Sequence, residues 1–341
     1  MKKFILTTTF VVVLVAPSVQ AINIVVDYTY DTNNFFDTPT KKAAMQAAAD
    51  RFSNVITSSL LAVGPGGTGT GTSAGWRVGF THPGTGASFE LSTAASFATD
   101  PFSGAGAADV YGFSGLNANQ WILYAGGRAL GSAGIGGTGT GINTTTTFDD
   151  ISGPMHRGFA DNTPASSIND LPRWGGAVTF NSGEAWNFSL GSTGSGLDFY
   201  SIALHEVGHA LGLSTSWNQW SNTAGVYTGP LAIAAYNTDN GTSLTGLNLE
   251  SAANPHWKDN TYDSFIFGFG NPNTVGTVPG GTKQDLVMEP IADFGGAQNR
   301  FELTNVDVAA LQDLGWSVIP EPTSGLLFAF GVLPVFLLRR R

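Results

Sequence analysis

The sequence predicts an α+β fold: a mixed twisted sheet, a helix that carries the chemistry, and a closing C-terminal helix. Three observations predict it. Ile22 to Asp27 and Trp174 to Asn181 are short runs rich in β-branched and aromatic residues, the composition of strands. Residues 40–61, 197–211 and 305–314 place apolar side chains at helical spacing, each with a Thr or Asp at its start. Between them lie Gly-, Ser- and Thr-rich stretches that punctuate the chain as turns and loops.

The elements follow in order. After the strand at Ile22 to Asp27 comes a polar turn region, Asp31 to Thr40, containing Asn33, Asn34, Phe35 and Phe36. Thr40 is expected to cap a helix running to about Leu61, with Ala44, Ala48, Phe52, Val55, Ile56 and Leu60 on its buried face. Val63 to Gly75 reads as a flexible loop. Trp76 to Phe80 and Ala87 to Leu91 read as a hairpin, with His82 a surface residue in the turn. Gln120 to Tyr124 is a short strand. Leu130 to Thr146 reads as a second Gly/Thr-rich loop, too poor in apolar residues to pack, and His156 sits in a third, Gly153 to Gly158. The two glycines of Trp174 to Asn181 mark a close backbone approach or an edge position. Trp186 to Phe188 and a Gly/Ser linker lead to the helix at Leu197 to Leu211.

That helix contains His205-Glu206-Val207-Gly208-His209. Residues four apart on a helix share a face, with Cβ atoms about 5–6 Å apart. Two imidazoles so placed can hold one metal ion, each about 2.0–2.1 Å from zinc. Glu206 follows the first His, so its carboxylate can reach a water on that metal without ligating it. Asp198 suits the first turn, Ile202, Ala203, Val207, Ala210 and Leu211 give an apolar surround, and Gly212 ends or bends the helix. A third ligand must come from elsewhere. Downstream histidine is confined to His256, in Asn254-Pro-His-Trp-Lys-Asp259. A carboxylate is the competing type, and the first Glu after the motif is Glu250, in a segment without helical pattern or caps.

Composition bounds the rest. The 341 residues allow one large domain or two small ones. A formal charge of −10, with only 12% charged residues, argues against nucleic acid or anionic lipid as partner. The absence of cysteine removes disulfides, thiolate ligands, a Cys nucleophile and a thiol latch on a metal. Met1-Lys-Lys3, an apolar stretch to Val15 and the small-residue site Val19-Gln-Ala21 read as a cleaved signal peptide, residues 1–21. At the other end, Pro320-Glu-Pro322, apolar Gly325 to Leu338 and Arg339 to Arg341 resemble the PEP-CTERM sorting signal of Gram-negative bacteria. The apolar stretch is short for a full membrane span, which needs about 20 residues. This resemblance implies export, processing by an exosortase-type enzyme, transient membrane association through the tail, and placement at the cell surface, the outer membrane or the extracellular matrix. The expected organisation is a signal peptide at 1–21, a catalytic domain at 22–318 and a sorting tail at 319–341. Without its ends the chain keeps 10 Lys+Arg against 24 Asp+Glu, which favours solubility outside the cell.

H-E-x-x-H on a helix is the pattern of zinc peptidases. The order of strand, Trp-bearing loop and helix resembles the zincin arrangement, and more narrowly the metzincin clan. That resemblance implies two lobes around a zinc cleft, a Met-turn and a C-terminal helix. It also implies an edge strand before the helix that binds an extended peptide as an added antiparallel strand. Gly176, Ala177, Val178, Thr179 and Phe180 are expected to be that strand. Metzincins extend the motif to H-E-x-x-H-x-x-G-x-x-H. This chain keeps Gly212 and departs at Thr215, whose hydroxyl is a poor zinc ligand. Here the sequence resembles the leishmanolysin family over about residues 174–318. In that family an insertion separates the Gly from the third His and a Met-turn follows. The matching pieces are His205 to Gly212, an insertion through Ala235-Tyr236 to Glu250, His256-Trp257, and Leu286-Val-Met288. The resemblance implies one catalytic Zn2+ on His205, His209 and His256, Glu206 as general base, Met288 as the apolar floor, and a polypeptide substrate. The contrasting expectation is a surface or matrix structural protein on the same scaffold with a weak or lost site. Calcium finds no complete ligand loop, although Asn237-Thr-Asp-Asn240 is an Asp/Asn-rich turn.

Overall fold

A computed structural model describes residues 22–62, 76–92, 108–111, 115–143, 157, 173–191, 195–214, 220–221, 224–251, 256–258, 275–278, 281–289 and 300–319. The signal-peptide and sorting-tail segments, His156 and Thr215 lie outside these residues. The first half of the chain holds β1 (Asn23–Asp27), α1 (Pro39–Ser53), β2 (Trp76–Thr81), β3 (Ser88–Ser92), β4 (Ala108–Tyr111), β5 (Gln120–Arg128), β6 (Gly134–Thr138) and β7 (Thr140–Asn143). Then follow β8 (Gly175–Asn181), β9 (Trp186–Asn187), β10 (Leu197–Asp198), α2 (Phe199–Ala210), β11 (Val226–Tyr227) and α3 (Pro230–Asn240). The last elements are β12 (Leu247–Asn248), β13 (Val275–Thr277), β14 (Lys283–Asp285) and α4 (Asn305–Asp313).

The central sheet has the order β1-β5-β8-β6. β1, β5 and β8 are parallel, and β6 runs antiparallel to β8. Parallel strands need cover on both faces, and β8 is buried along its whole length. One face carries α1 and α2, with Trp121, Leu123, Val178 and Phe180 packed into the same core as Phe52, Phe199 and Leu204. The other face carries a second sheet, order β4-β3-β2-β7. There Phe80 stacks on Tyr124 with ring centroids 4.4 Å apart, and Ile122, Trp174 and Ala177 join the same cluster. The layers are helix, sheet, sheet. Buried residues from before and after α2 merge into one core, which α4 enters through Val306, Ala310 and Leu314.

Four expectations are corrected. Gly176 to Phe180 is not an edge strand: it pairs with β5 on one side and β6 on the other. Its two glycines mark close approach instead, since a Cβ on Gly176 would lie 2.6 Å from the Gly137 carbonyl oxygen. The Gly/Thr-rich stretch at Leu130 to Thr146, expected as a loop, contains β6 and β7. The first helix starts at Pro39, capped by the Thr38 side chain, and ends at Ser53 rather than near Leu61. Beyond it the chain spends its hydrogen bonds on distant partners: Ile56 bridges Val318, and Leu60 N–H donates to Asn119 Oδ1 at 2.8 Å. His82 is buried, its ring packed edge-on against Tyr30 and Phe89, while its Nδ1 accepts from the N–H groups of Gly84 and Thr85 at 3.1 Å and closes its own turn.

The segment after α2 is docked on α4 by two aspartates. α3 has no side-chain cap of its own. Asp313 supplies one, accepting from Leu231 N and Ala232 N at 3.0 Å and from the Tyr227 hydroxyl at 3.1 Å. At the far end Asp239 accepts from Thr277 N at 2.8 Å and Asn305 Nδ2 at 3.1 Å. Among the described residues no helix is long and apolar enough to cross a membrane.

Candidate metal centre

α2 is fixed at both ends. The Asp198 carboxylate caps it, accepting from Ser201 N at 3.1 Å and Ser201 Oγ at 2.7 Å, a contribution of about 1 kcal/mol. Arg300 grips the same carboxylate with two nitrogens, at 2.7 and 3.1 Å, and so ties the segment before α4 to the start of α2. At the other end Gly212 turns the chain with φ +101°, a conformation that costs a residue with a Cβ. The turn brings the Leu213 carbonyl to 3.1 Å from His209 Nδ1.

The Val287 carbonyl lies 2.6 Å from His205 Nδ1. A carbonyl only accepts, so Nδ1 carries the proton in both rings and each Nε2 keeps its lone pair. His256 Nε2 lies 3.0 Å from His209 Nε2. The three rings have centroids 4.6, 4.8 and 5.4 Å apart, and their candidate ligand atoms all lie within 4.8 Å of one another. A tetrahedral zinc at its usual bond length would separate such nitrogens by about 3.3–3.4 Å. Burial holds the histidines in the neutral form that ligates. It depresses His205 to about 4, helped by the neighbouring His256 ring, and depresses His256 to about 4. His209 lies well below the ordinary histidine value for the same reasons.

Glu206 is buried beside them. Burial pushes its carboxyl up to about 8, partly offset by a hydrogen bond from the Gly136 N–H. Its other oxygen, Oε2, has no partner among the described residues. Three neutral imidazoles and an unsatisfied buried carboxylate oxygen form a donor set that fits zinc with a water beside it. Glu250 is exposed and outside the group. Its N–H instead donates to the His256 carbonyl at 2.9 Å, so the alternative ligand serves as backbone support.

His256 reaches the helix through a short rung. Leu249 and Trp257 form an antiparallel bridge, and Trp257 N donates to the Met288 carbonyl at 3.1 Å. Met288 itself is fully buried under α2. A Cβ on Gly208 would lie 2.7 Å from Met288 Sδ, so the glycine inside the His motif makes room for the methionine.

Two features were not read from the sequence. The first is Asp307. Its Oδ2 accepts from Val287 N at 3.2 Å and from Thr304 N and Oγ1 at 3.0 and 2.7 Å. One carboxylate therefore ties the start of α4 to Val287, whose carbonyl orients His205. An acidic residue three after a capping Thr was the available signal. Asp307→Ala is expected to weaken zinc binding about 10–100-fold, the range for outer partners of metal ligands. Competition with a chromophoric chelator measures this, and an unchanged affinity would show that Val287 is placed by other contacts.

The second is the glycine pattern of β6. A Cβ on Gly134 would sit 2.5 Å from Glu206 Oε1, and one on Gly136 would strike the Glu206 carbonyl and lie 2.9 Å from His209 Cβ. Glycine at alternate positions lets the strand lie against α2. Gly136→Ala is expected to cost about 1–3 kcal/mol of stability through overpacking, and to lower any hydrolytic activity with it. Gly137→Ala is the control, since its Cβ meets nothing within 4 Å. Equal melting temperatures for the two variants would show that β6 can shift without cost.

A helix bearing two metal-ready histidines, completed by a third from a later segment and laid under a mixed sheet, is the layout of a zincin-type centre. The Matrixin family model matches residues 146–237, which include β8 and α2, so this part of the chain is similar to a metzincin-clan zinc metallopeptidase. The match ends before His256. No curated protein and no solved structure matches the chain.

Proposed function

We propose that the chain is an exported zinc-dependent endopeptidase that hydrolyses peptide bonds within extended polypeptides. The carrying observation is the convergence of His205, His209 and His256 beside Glu206, whose Oε2 is buried and unpartnered. Zinc held by these residues would supply Lewis acidity, polarising a carbonyl and bringing the pKa of a water to about 7. Glu206 takes a proton from the attacking water and returns it to the leaving amine. The Val287 and Leu213 carbonyls keep the Nδ1 protons of His205 and His209 in place, so both rings stay fixed and neutral throughout.

The substrate role first read at Gly176 to Phe180 moves to β6. That strand ends the sheet order, and its far side has no partner strand among the described residues. An extended peptide pairs there by β-augmentation. The length of chain between Gly212 and His256, and its docking through Asp313 and Asp239, support a leishmanolysin-like insertion in place of the short metzincin route, with a cleft between two lobes. Residues 1–21 and 320–341 are read as the export signal and the sorting tail, with an exosortase-type enzyme as the partner. A catalytically lost scaffold would be expected to lack a ligand or the base, and this chain has both. The test is zinc content and casein cleavage by purified protein. One zinc per chain and cleavage abolished by chelation and restored by zinc are expected. Metal-free protein that cleaves as well as zinc-loaded protein would refute the reading.

A further inference from the structure

We propose that the open edge that receives the polypeptide continues past β6 into β7, so that the site engages a long extended segment on the N-terminal side of the bond it cuts. The inference rests on the endopeptidase reading of the same site.

Only Gly139 separates β6 from β7. Gly139 N still donates to the Gly175 carbonyl at 3.0 Å, and the next residue, Thr140, is already paired with Gly79 of β2. The chain thus passes from one sheet to the other without leaving the extended state. Gly139 is glycine because a Cβ there would run into the Trp174 indole.

The two sheets stack in the same lateral order. Phe89 of β3 lies 4.7 Å from Tyr30, just beyond β1, while Phe80 of β2 lies on Tyr124 of β5 and 6.2 Å from Trp174 ahead of β8. β2 therefore sits inward of β7 as β8 sits inward of β6, and the outer sides of β6 and β7 form one line. Among the described residues neither has a partner strand on that side.

Register shows which groups face out. Asn181 N donates to the Ala133 carbonyl and Gly139 N to the Gly175 carbonyl. Residues 133, 135, 137 and 139 thus bond toward β8, and Gly134, Gly136 and Thr138 turn their N–H and C=O outward. A Cβ on Gly134 would lie 2.5 Å from Glu206 Oε1. This places the reacting end at the start of β6. A peptide antiparallel to β6 then lays its N-terminal portion along Thr138 and onward over β7. β6 alone is about 17 Å long, whereas residues 134–143 span about 33 Å.

The test is a series of unstructured peptides sharing one cleavage sequence, extended from about three to about seven residues on either side of the bond, with zinc-loaded full chain. Extension on the N-terminal side is expected to raise kcat/KM about tenfold or more, through a few added backbone hydrogen bonds. Extension on the C-terminal side should do less. N-methylation of alternate residues in the N-terminal extension should remove the gain, and of the intervening residues should not, because only every second N–H of a paired strand faces its neighbour. A kcat/KM that stays within about twofold on N-terminal extension, or an N-methyl effect without the period of two, overturns the proposal. If no peptide is cleaved, the endopeptidase reading fails by itself. The dissociation constants of the same peptides for zinc-loaded Glu206→Ala protein then decide the edge by the same two criteria.

Discussion

Glu206→Ala protein is expected to keep its zinc and lose cleavage. The loss in kcat should be about 10²–10⁴-fold, the usual contribution of a positioned general base. The carboxylate is not among the grouped ligand atoms, so metal content should stay at the wild-type level. Stability supplies a second readout, on zinc-free protein. The folded-state value of about 8 lies above the ordinary 4.5, so the folded chain holds this proton more tightly than the unfolded chain. The burial penalty is absent below about pH 4.5 and grows as pH rises to about 8. Relative to wild type, the variant should therefore gain stability between pH 5 and pH 8, measured as the difference in melting temperature. Full cleavage by Glu206→Ala would remove this residue from the chemistry. A variant gain that is larger at the acid end would mean that Glu206 is not buried as a carboxylate.

The second large effect is expected at His256. Removing one of three nitrogen ligands should weaken zinc by more than the roughly 10–100-fold typical of outer-partner losses, and cleavage should fall with occupancy. The rung that carries His256 is held by backbone bonds through Leu249, Trp257 and Met288, so His256→Ala should still fold. Unchanged far-ultraviolet circular dichroism checks that. Glu250→Ala is the paired control and should retain zinc, because Glu250 is exposed and outside the group. Should His256→Ala bind zinc and cleave as well as wild type, the third ligand lies elsewhere.

Much of the site was legible because its parts are local. His205, Glu206 and His209 fall on one helix by spacing alone, and Asp198 and Gly212 bracket that helix as capping chemistry requires. The C-terminal helix was equally plain from Thr304 to Gly315. Met288 was found as a buried methionine, and the structure adds that Gly208 is the residue that lets it close on α2. The edge strand was misplaced for a physical reason. Gly134-Ile-Gly-Gly-Thr138 has the composition of a flexible loop, yet its glycines are demanded by contact with Glu206 and His209. Low hydrophobicity there reflects a strand pressed against a helix backbone, not a strand without neighbours. The first helix was read too long for a similar reason. Val55, Ile56 and Leu60 continue the helical spacing and are buried, but their backbone is drawn off to Ile319, Val318 and Asn119.

Local spacing was enough to place the helix, two rings able to hold a metal, the neighbouring carboxylate, and the class of chemistry they allow. Each depends on residues within one or two turns, where periodicity and capping dictate position. Tertiary structure decided which strand borders the site, how Asp307 of α4 fixes the residue that orients His205, and how His256 comes within 3.0 Å of a ring 47 residues away. These rest on sheet order and on hydrogen bonds between distant segments, and neither leaves a periodic mark in the chain.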